Sequence, residues 1–275
     1  MTTAADARPA RSGGALSDMW VIARRGFLHM RREPEALADV TLQPVMFTLL
    51  FAYVFGGAIP VAGGSYREFL MGGIFAQTLV FGSFGVAMSL ASDRKNGAID
   101  RFRSLPMARS AILGGHALSH LVRGLLPIAL MSVCGLIVGW RVHTGVVDAV
   151  AGYGLMIAFL FAVIWVGILM GSMLPTPEAV QGVGFAAIFP VTFIASTFVP
   201  ISTLPGVLKP IAEWNPVTSM AEALRRLYGN PHGEFGPDPS FPLRHPVAYT
   251  LIWIVGIVAV CAPLAVLFYQ RSIRD

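Results

Sequence analysis

The chain has 275 residues, of which 55% are hydrophobic and 13% charged, and a mean hydropathy of +0.67. Soluble domains carry about 25% charged residues, so a soluble enzyme or binding module is excluded at the outset. The formal charge of +5 resides in short loops and tails between apolar runs. It is therefore a signal of topology and of lipid headgroups rather than of nucleic acid.

Five stretches lack Asp, Glu, Lys and Arg altogether: 40–66, 69–92, 149–177, 179–208 and 246–270. Each exceeds the ~20 residues needed to cross about 30 Å of hydrocarbon. A sixth, 110–140, is interrupted only by Arg123. The runs are continuously apolar rather than alternating, which argues against a β-barrel. The expected fold is an all-α polytopic membrane protein. Its six spans fall at about 38–57, 69–91, 109–138, 149–173, 179–199 and 247–269.

Residues 1–16 read as a disordered tail with no apolar signal-peptide core. Residues 17–34 read as an amphipathic helix. Trp20, Ala23, Phe27 and Met30 form its apolar face, with Arg24, Arg25, Arg31 and Arg32 beside it. A short mobile tail helix is the alternative there. The six-span unit then occupies 35–275.

Span two carries Ser83, Ala87 and Ala91 at four-residue spacing, which suits close helix packing. The stretch from Ser92 to Arg109 follows, with five Lys or Arg and two Asp in eighteen residues. Ile99, Phe102 and Leu105 recur every three residues, while Arg94, Asp100, Arg101 and Arg103 face elsewhere. Gly97 opens this short helix and Pro106 stops it. It reads as a docking helix for a soluble partner; a solvated loop that only sets topology is the plainer alternative.

Span three places His116, His120 and Arg123 on one face. A buried arginine there either snorkels or packs structurally, or else contacts substrate. A metal reading is rejected, because the other four histidines are scattered. Span four holds Gly167 and Gly171, a small-residue packing pair. Span five carries Phe185, Phe189 and Phe193 at four-residue spacing, facing lipid, a neighbouring helix or a substrate path, with a kink expected at Pro190. In the long segment before span six, residues 200–214 suggest a short surface helix. Asn215 and Pro216 then cap another helix that Gly229 closes. Cys134 and Cys261 fall inside spans and read as neither disulfide nor metal ligand.

With six spans both ends share one side. That side collects Arg8, Arg11, Arg24, Arg25, Arg31, Arg32, Arg94, Lys95, Arg101, Arg103, Arg109, Arg271 and Arg274. The other side holds Arg67, Arg141, Lys209, Arg225, Arg226 and Arg244. The positive-inside rule puts both termini and the charged stretch in the cytoplasm of a plasma membrane. Eighteen arginines against two lysines suggest a bacterial source.

The order of these elements resembles the membrane subunit of a type-2 ABC exporter, close to the daunorubicin-resistance permease group. The residues that carry the resemblance are D-R-K-N-G-A-I-D-R-F-R-S-L-P-M-A-R at 93–109, F-V-P-I-S-T-L-P-G at 198–206 and N-P-V-T at 215–218. Asp93 stands in the area where family members often carry Glu. The resemblance implies that the stretch between spans two and three is a coupling helix seated on an ATPase. Gly97, Ile99, Asp100, Arg101, Phe102, Arg103, Leu105 and Pro106 would then make the contact. It also implies that the helix at 17–34 is a connecting helix, leaning on the ATPase through Trp20, Arg24 and Phe27.

A phosphate-binding loop needs Gly-Lys-Ser/Thr, and the only lysines here are Lys95, followed by Asn96, and Lys209, followed by Pro210. The chain therefore cannot bind and hydrolyse ATP by that route, and the resemblance implies a separate ATPase subunit, in two copies, that binds ATP and Mg. A second permease, identical or not, would complete the transporter. An apolar path lined by Phe185, Phe189, Phe193 and Arg123 suits a drug, polyketide or lipid. A secondary transporter or channel is the alternative, although only Asp39 offers a carboxylate near a span. A membrane-embedded enzyme would need a clustered polar site, for which only the His116–Arg123 face qualifies.

Overall fold

A computed structural model describes residues 34–56, 59–61, 63–95, 109–233, 235 and 238–272. The expected connecting-helix residues Trp20, Arg24 and Phe27 lie outside the described residues. So does the expected coupling set Gly97, Ile99, Asp100, Arg101, Phe102, Arg103, Leu105 and Pro106.

Among the described residues the structure is helical, without strands. The elements are α1 (Pro34–Val54), α2 (Tyr66–Lys95), α3 (Arg109–Val138), α4 (Val146–Met173), α5 (Pro177–Ile194), a 3-10 turn (Ile201–Thr203), α6 (Leu208–Glu213), α7 (Pro216–Tyr228), α8 (Phe241–Arg244) and α9 (Pro246–Ser272). Five helices, α2 to α5 and α9, are long and apolar enough to cross a membrane. Among the described residues, α1 contributes the shorter apolar stretch Leu42–Val54.

The bundle is built around α2 and α4, the most buried pair. Their packing is backbone against backbone. A Cβ on Gly167 would stand 2.2 Å from the Ser83 carbonyl oxygen, and one on Gly171 would stand 2.8 Å from that of Ala87. Small residues on both faces permit this approach, and close van der Waals packing is what joins helices in lipid, where burial from water contributes little. Helix α9 packs on α4 and α7, α3 on α4 and α1, and α5 on α2. The outward faces of α1 and α9 leave Leu42, Tyr53, Ile252 and Val255 exposed, as helix surfaces that meet hydrocarbon require.

Helix α5 begins as the sequence dictates. Thr176 accepts from the Ala179 N–H at 3.2 Å, and Pro177 occupies the first turn. It ends at Ile194, short of the expected 199. Hydropathy gives no stop there, since the uncharged run continues to residue 208. Hydrogen bonds stop it instead. The Thr197 hydroxyl donates to the Thr192 carbonyl at 3.0 Å, and the Ser196 N–H donates to Thr218 Oγ1 at 3.0 Å. Helix α7 has the expected caps: Asn215 accepts from the Val217 N–H at 2.8 Å, and Gly229 closes it at φ 66°.

Candidate functional site

Helix α2 runs from Phe69 near one end of the bundle to Arg94 near the other, about 37 Å at 1.5 Å per residue. Each end carries a polar cluster in an otherwise apolar molecule.

At the Arg94 end, the chain leaves α2 after Lys95 and re-enters the described structure at Arg109, so residues 96–108 emerge here. The Arg94 guanidinium donates to the Ser172 carbonyl at 2.9 Å, with the Gly171 and Leu174 carbonyls at 3.5 Å. These carbonyls belong to the last turn of α4 and its cap, where intrahelical donors run out and the helix dipole is negative. Lys95 Nζ donates to Glu178 Oε1 at 2.8 Å in the first turn of α5. Both side chains are more than half exposed, so this ion pair orients more than it stabilises. His116 of α3 lies 3.7 Å from Asp93, and its ring stacks on His120. Arg123 is half-buried on α3, whose main neighbours are α4 and α1.

The phenylalanines of α5 meet different ring partners. Phe185, 47% exposed, meets Phe84 of α2 edge-on at 5.4 Å, beside a shallow apolar hollow lined by Phe81, Gly184 and Ile188. Phe189, 44% exposed, stacks on Phe193 at 4.1 Å. Phe193 continues to Phe198 at 5.3 Å, Phe198 to Phe51 at 4.1 Å, and Phe51 to Phe47 at 6.0 Å. The result is an aromatic ladder from α5 to α1. Helical spacing does not reveal Phe198, Phe51 and Phe47 as its members, because their meeting depends on the chain turning back after Ile194.

At the opposite end Arg225 is wholly buried. Its Nε donates to the Phe69 carbonyl at 2.8 Å, one terminal nitrogen donates to Glu222 Oε1 at 2.6 Å and to Ser196 Oγ at 2.9 Å, and the other donates to the Ser196 carbonyl at 2.7 Å. Burial pulls the guanidinium down from its ordinary value, while the Glu222 carboxylate acts the other way. Arg225 thus ties α7, α2 and the link after α5 into one brace. A neighbouring tie runs through Asn230, which accepts from the Trp140 indole at 2.7 Å and donates to the Arg141 carbonyl at 2.7 Å. Charge distribution alone places Arg225 among loop charges. The available signal was Glu222 and Arg225 at i, i+3 inside a helix otherwise rich in small and apolar residues.

Among the described residues no three His, Cys, Asp or Glu side chains gather as metal ligands. Long apolar helices, a braced cap at one end and a charged clamp at the other are the parts of a polytopic transport protein. The chain belongs to the ABC-2 type transporter family, whose profile matches residues 17–228. It is 32% identical over 268 residues to the daunorubicin resistance ABC transporter permease protein DrrB1 of Streptomyces coeruleorubidus, covering 96% of this chain and 90% of that one. It is 24% identical over 237 residues to the probable doxorubicin resistance permease DrrC of Mycobacterium tuberculosis, covering 83% and 79%. A putative transport permease, ycf38 of Cyanophora paradoxa, is 25% identical over 219 residues, covering 78% and 75%. The protein is a membrane-spanning permease subunit of an ABC exporter.

Proposed function

We propose that this permease exports amphipathic drug-like molecules and takes its driving force from a separate ABC ATPase docked on residues 96–108. What supports the reading is the place of that segment in the sequence, directly after Arg94 and Lys95. The densest charge of the chain lies in the sequence between α2 and α3, beginning with Arg94 and Lys95, which are anchored on α4 and α5. Ile99, Phe102 and Leu105 offer an apolar ridge to the ATPase. Asp100, Arg101 and Arg103 fix its register, and Gly97 and Pro106 bound the helix.

Residues 17–34 form the connecting helix, with Trp20, Arg24 and Phe27 toward the same subunit. Helix α1 serves as the first of six spans, and both termini lie in the cytoplasm, as the arginine distribution favours. Two ATPase subunits, which bind ATP and Mg, drive two permeases. This chain carries no Gly-Lys-Ser/Thr loop of its own.

The relatives' names supply the substrate class. Daunorubicin and doxorubicin carry planar fused aromatic rings and an amine, and rings of that kind stack on phenylalanine faces. Phe185, Phe189 and Phe193 flank the path, continued by Phe198 and Phe51, with Arg123 further along the bundle.

The test is co-expression with the cognate ATPase. The double variant D100R/F102A is expected to remain in the membrane and to lose ATP-dependent doxorubicin efflux. Efflux at the unmodified rate would refute the docking role.

A further inference from the structure

We infer that Arg94, with the Lys95–Glu178 pair, is the positioning element that carries motion of segment 96–108 into α5. This rests on the proposed docking of that segment. The geometry has three links. First, Arg94 sits at the last turn of α2, one residue before the helix ends at Lys95, so whatever moves residues 96–108 moves Arg94. Second, Arg94 holds the Ser172 carbonyl at 2.9 Å, with those of Gly171 and Leu174 within 3.5 Å. A charged donor on the negative end of a helix is a strong partner, and one terminal nitrogen of Arg94, Nη1, faces all three carbonyls. Third, the α4–α5 turn is short and stiff. Pro175 and Pro177 flank Thr176, whose hydroxyl oxygen accepts from Ala179, so proline rings fix the φ angle on either side of it.

The clamp has little freedom to slip. Gly167 and Gly171 seat α4 directly against the backbone of α2 at Ser83 and Ala87, which leaves tilting of the two helices together as the available motion. Lys95 adds a second point of attachment on Glu178, in the first turn of α5 itself. A displacement entering at Lys95 therefore reaches α5, the helix that bears Phe185, Phe189 and Phe193, across the short turn 174–176. No detour through α3 or α9 is needed. Arg94 contacts none of those phenylalanines and acts on them only through the turn.

The experiment uses the permease co-expressed and co-purified with its cognate ATPase subunit and reconstituted in phosphatidylethanolamine–phosphatidylglycerol vesicles. ATP hydrolysis and ATP-dependent doxorubicin accumulation are measured on the same preparation. Failure of the unmodified chain to co-purify with the ATPase would sink the docking reading itself. Given that complex, R94Q is expected to retain co-purification and hydrolysis, while doxorubicin moved per ATP falls about ten-fold, a typical size for a coupling term. R94K, which keeps the charge on a shorter side chain, is expected to lie between. Unchanged transport per ATP in R94Q overturns the inference, and so does a parallel loss of hydrolysis and transport, which a merely structural role would produce. Should R94Q fail to reach the membrane, the charge exchange decides. K95E is expected to lower transport per ATP, and K95E/E178K to restore it. No loss in K95E, or no recovery in the double variant, overturns the inference.

Discussion

The Arg225 guanidinium carbon lies 3.5 Å from the centroid of the Phe69 ring while Arg225 Nε donates to the carbonyl of the same residue at 2.8 Å. One side chain thus grips both the face and the backbone of the first turn of α2. The contact combines a cation–π interaction with charge-assisted hydrogen bonds among fully buried groups. Removing the guanidinium strands a buried carboxylate. Glu222 Oε2 already lacks a hydrogen-bond partner, and Oε1 would lose its shortest one. R225A is expected to destabilise the protein by about 3–5 kcal/mol, the cost of an uncompensated buried charge. The double replacement R225M/E222L, which removes both charges, should recover most of it. Thermal unfolding in detergent, followed by the loss of the monodisperse chromatographic peak, measures both. An R225A melting curve superimposable on that of the unmodified protein would dismiss the brace.

The α2–α4 seam makes a different kind of demand. A methyl group on Gly167 would meet the Ser83 carbonyl oxygen at 2.2 Å, and backbone cannot rotate aside as a side chain can. G167V is expected to push the two helices apart and cost about 1–3 kcal/mol, the range for forced overpacking. Gly154 lies in the same helix, and a methyl group placed there would meet nothing within 4 Å, so G154A should leave stability unchanged or slightly raised. The comparison of the two variants by membrane abundance and melting temperature isolates packing from helix propensity.

Much of this architecture was legible in the sequence, and the parts that were not have a common cause. Hydrophobic length is a local property, so α2, α4 and α9 stand where uncharged runs exceed a bilayer's thickness, and α3 stands on a run broken only by Arg123. Capping is also local: Asn215, Pro216 and Gly229 delimit α7 without reference to any other element. Arg225 and Phe198 are the reverse case. Arg225 has distant partners at 69 and 196, and Phe198 at 47 and 51, separations that no periodicity reports. A charged pair in a loop between spans looks solvated until tertiary packing turns it inward. The end of α5 at Ile194 belongs to the same group, because its stop signal is a hydroxyl five residues past Thr192 rather than a charge.

The aromatic ladder gives a prediction about substrate. If planar drugs pass along it, the rungs differ in what they contribute. Phe198 contacts Phe193, Phe51 and Phe47, whereas Phe185 meets Phe84 of α2 and none of these rings. An aromatic pair is worth about 0.5–1.5 kcal/mol beyond burial, a factor of about two to ten in an equilibrium constant. F189L, which keeps apolar bulk without the ring, is expected to raise the doxorubicin concentration for half-maximal ATPase stimulation within that range. F185L should do so less. Equal responses in the two variants, at matched protein levels, would show that the ladder is packing only.

Asn215 joins two helix ends with one side chain, and its two functions separate by chemistry. Its Oδ1 accepts from the Val217 N–H at 2.8 Å, capping α7, and its Nδ2 donates to the Val191 carbonyl at 2.7 Å. Val191 is among the last four residues of α5, whose carbonyls have no donor within the helix. N215D keeps a good cap acceptor but loses the donor and turns an anion toward that carbonyl. N215A loses both contacts. Loss of the cap alone costs about 1 kcal/mol, and loss of a donor to a part-buried carbonyl at a helix end facing hydrocarbon costs about 1–3 kcal/mol. N215D should therefore be nearly as damaging as N215A, and N215S, a cap without the reach to Val191, should resemble both. If the cap dominated instead, N215D and N215S would melt like the unmodified protein and N215A alone would fall. The order of the three melting temperatures thus decides whether the Asn-Pro pair serves its own helix or holds the end of α5 against it.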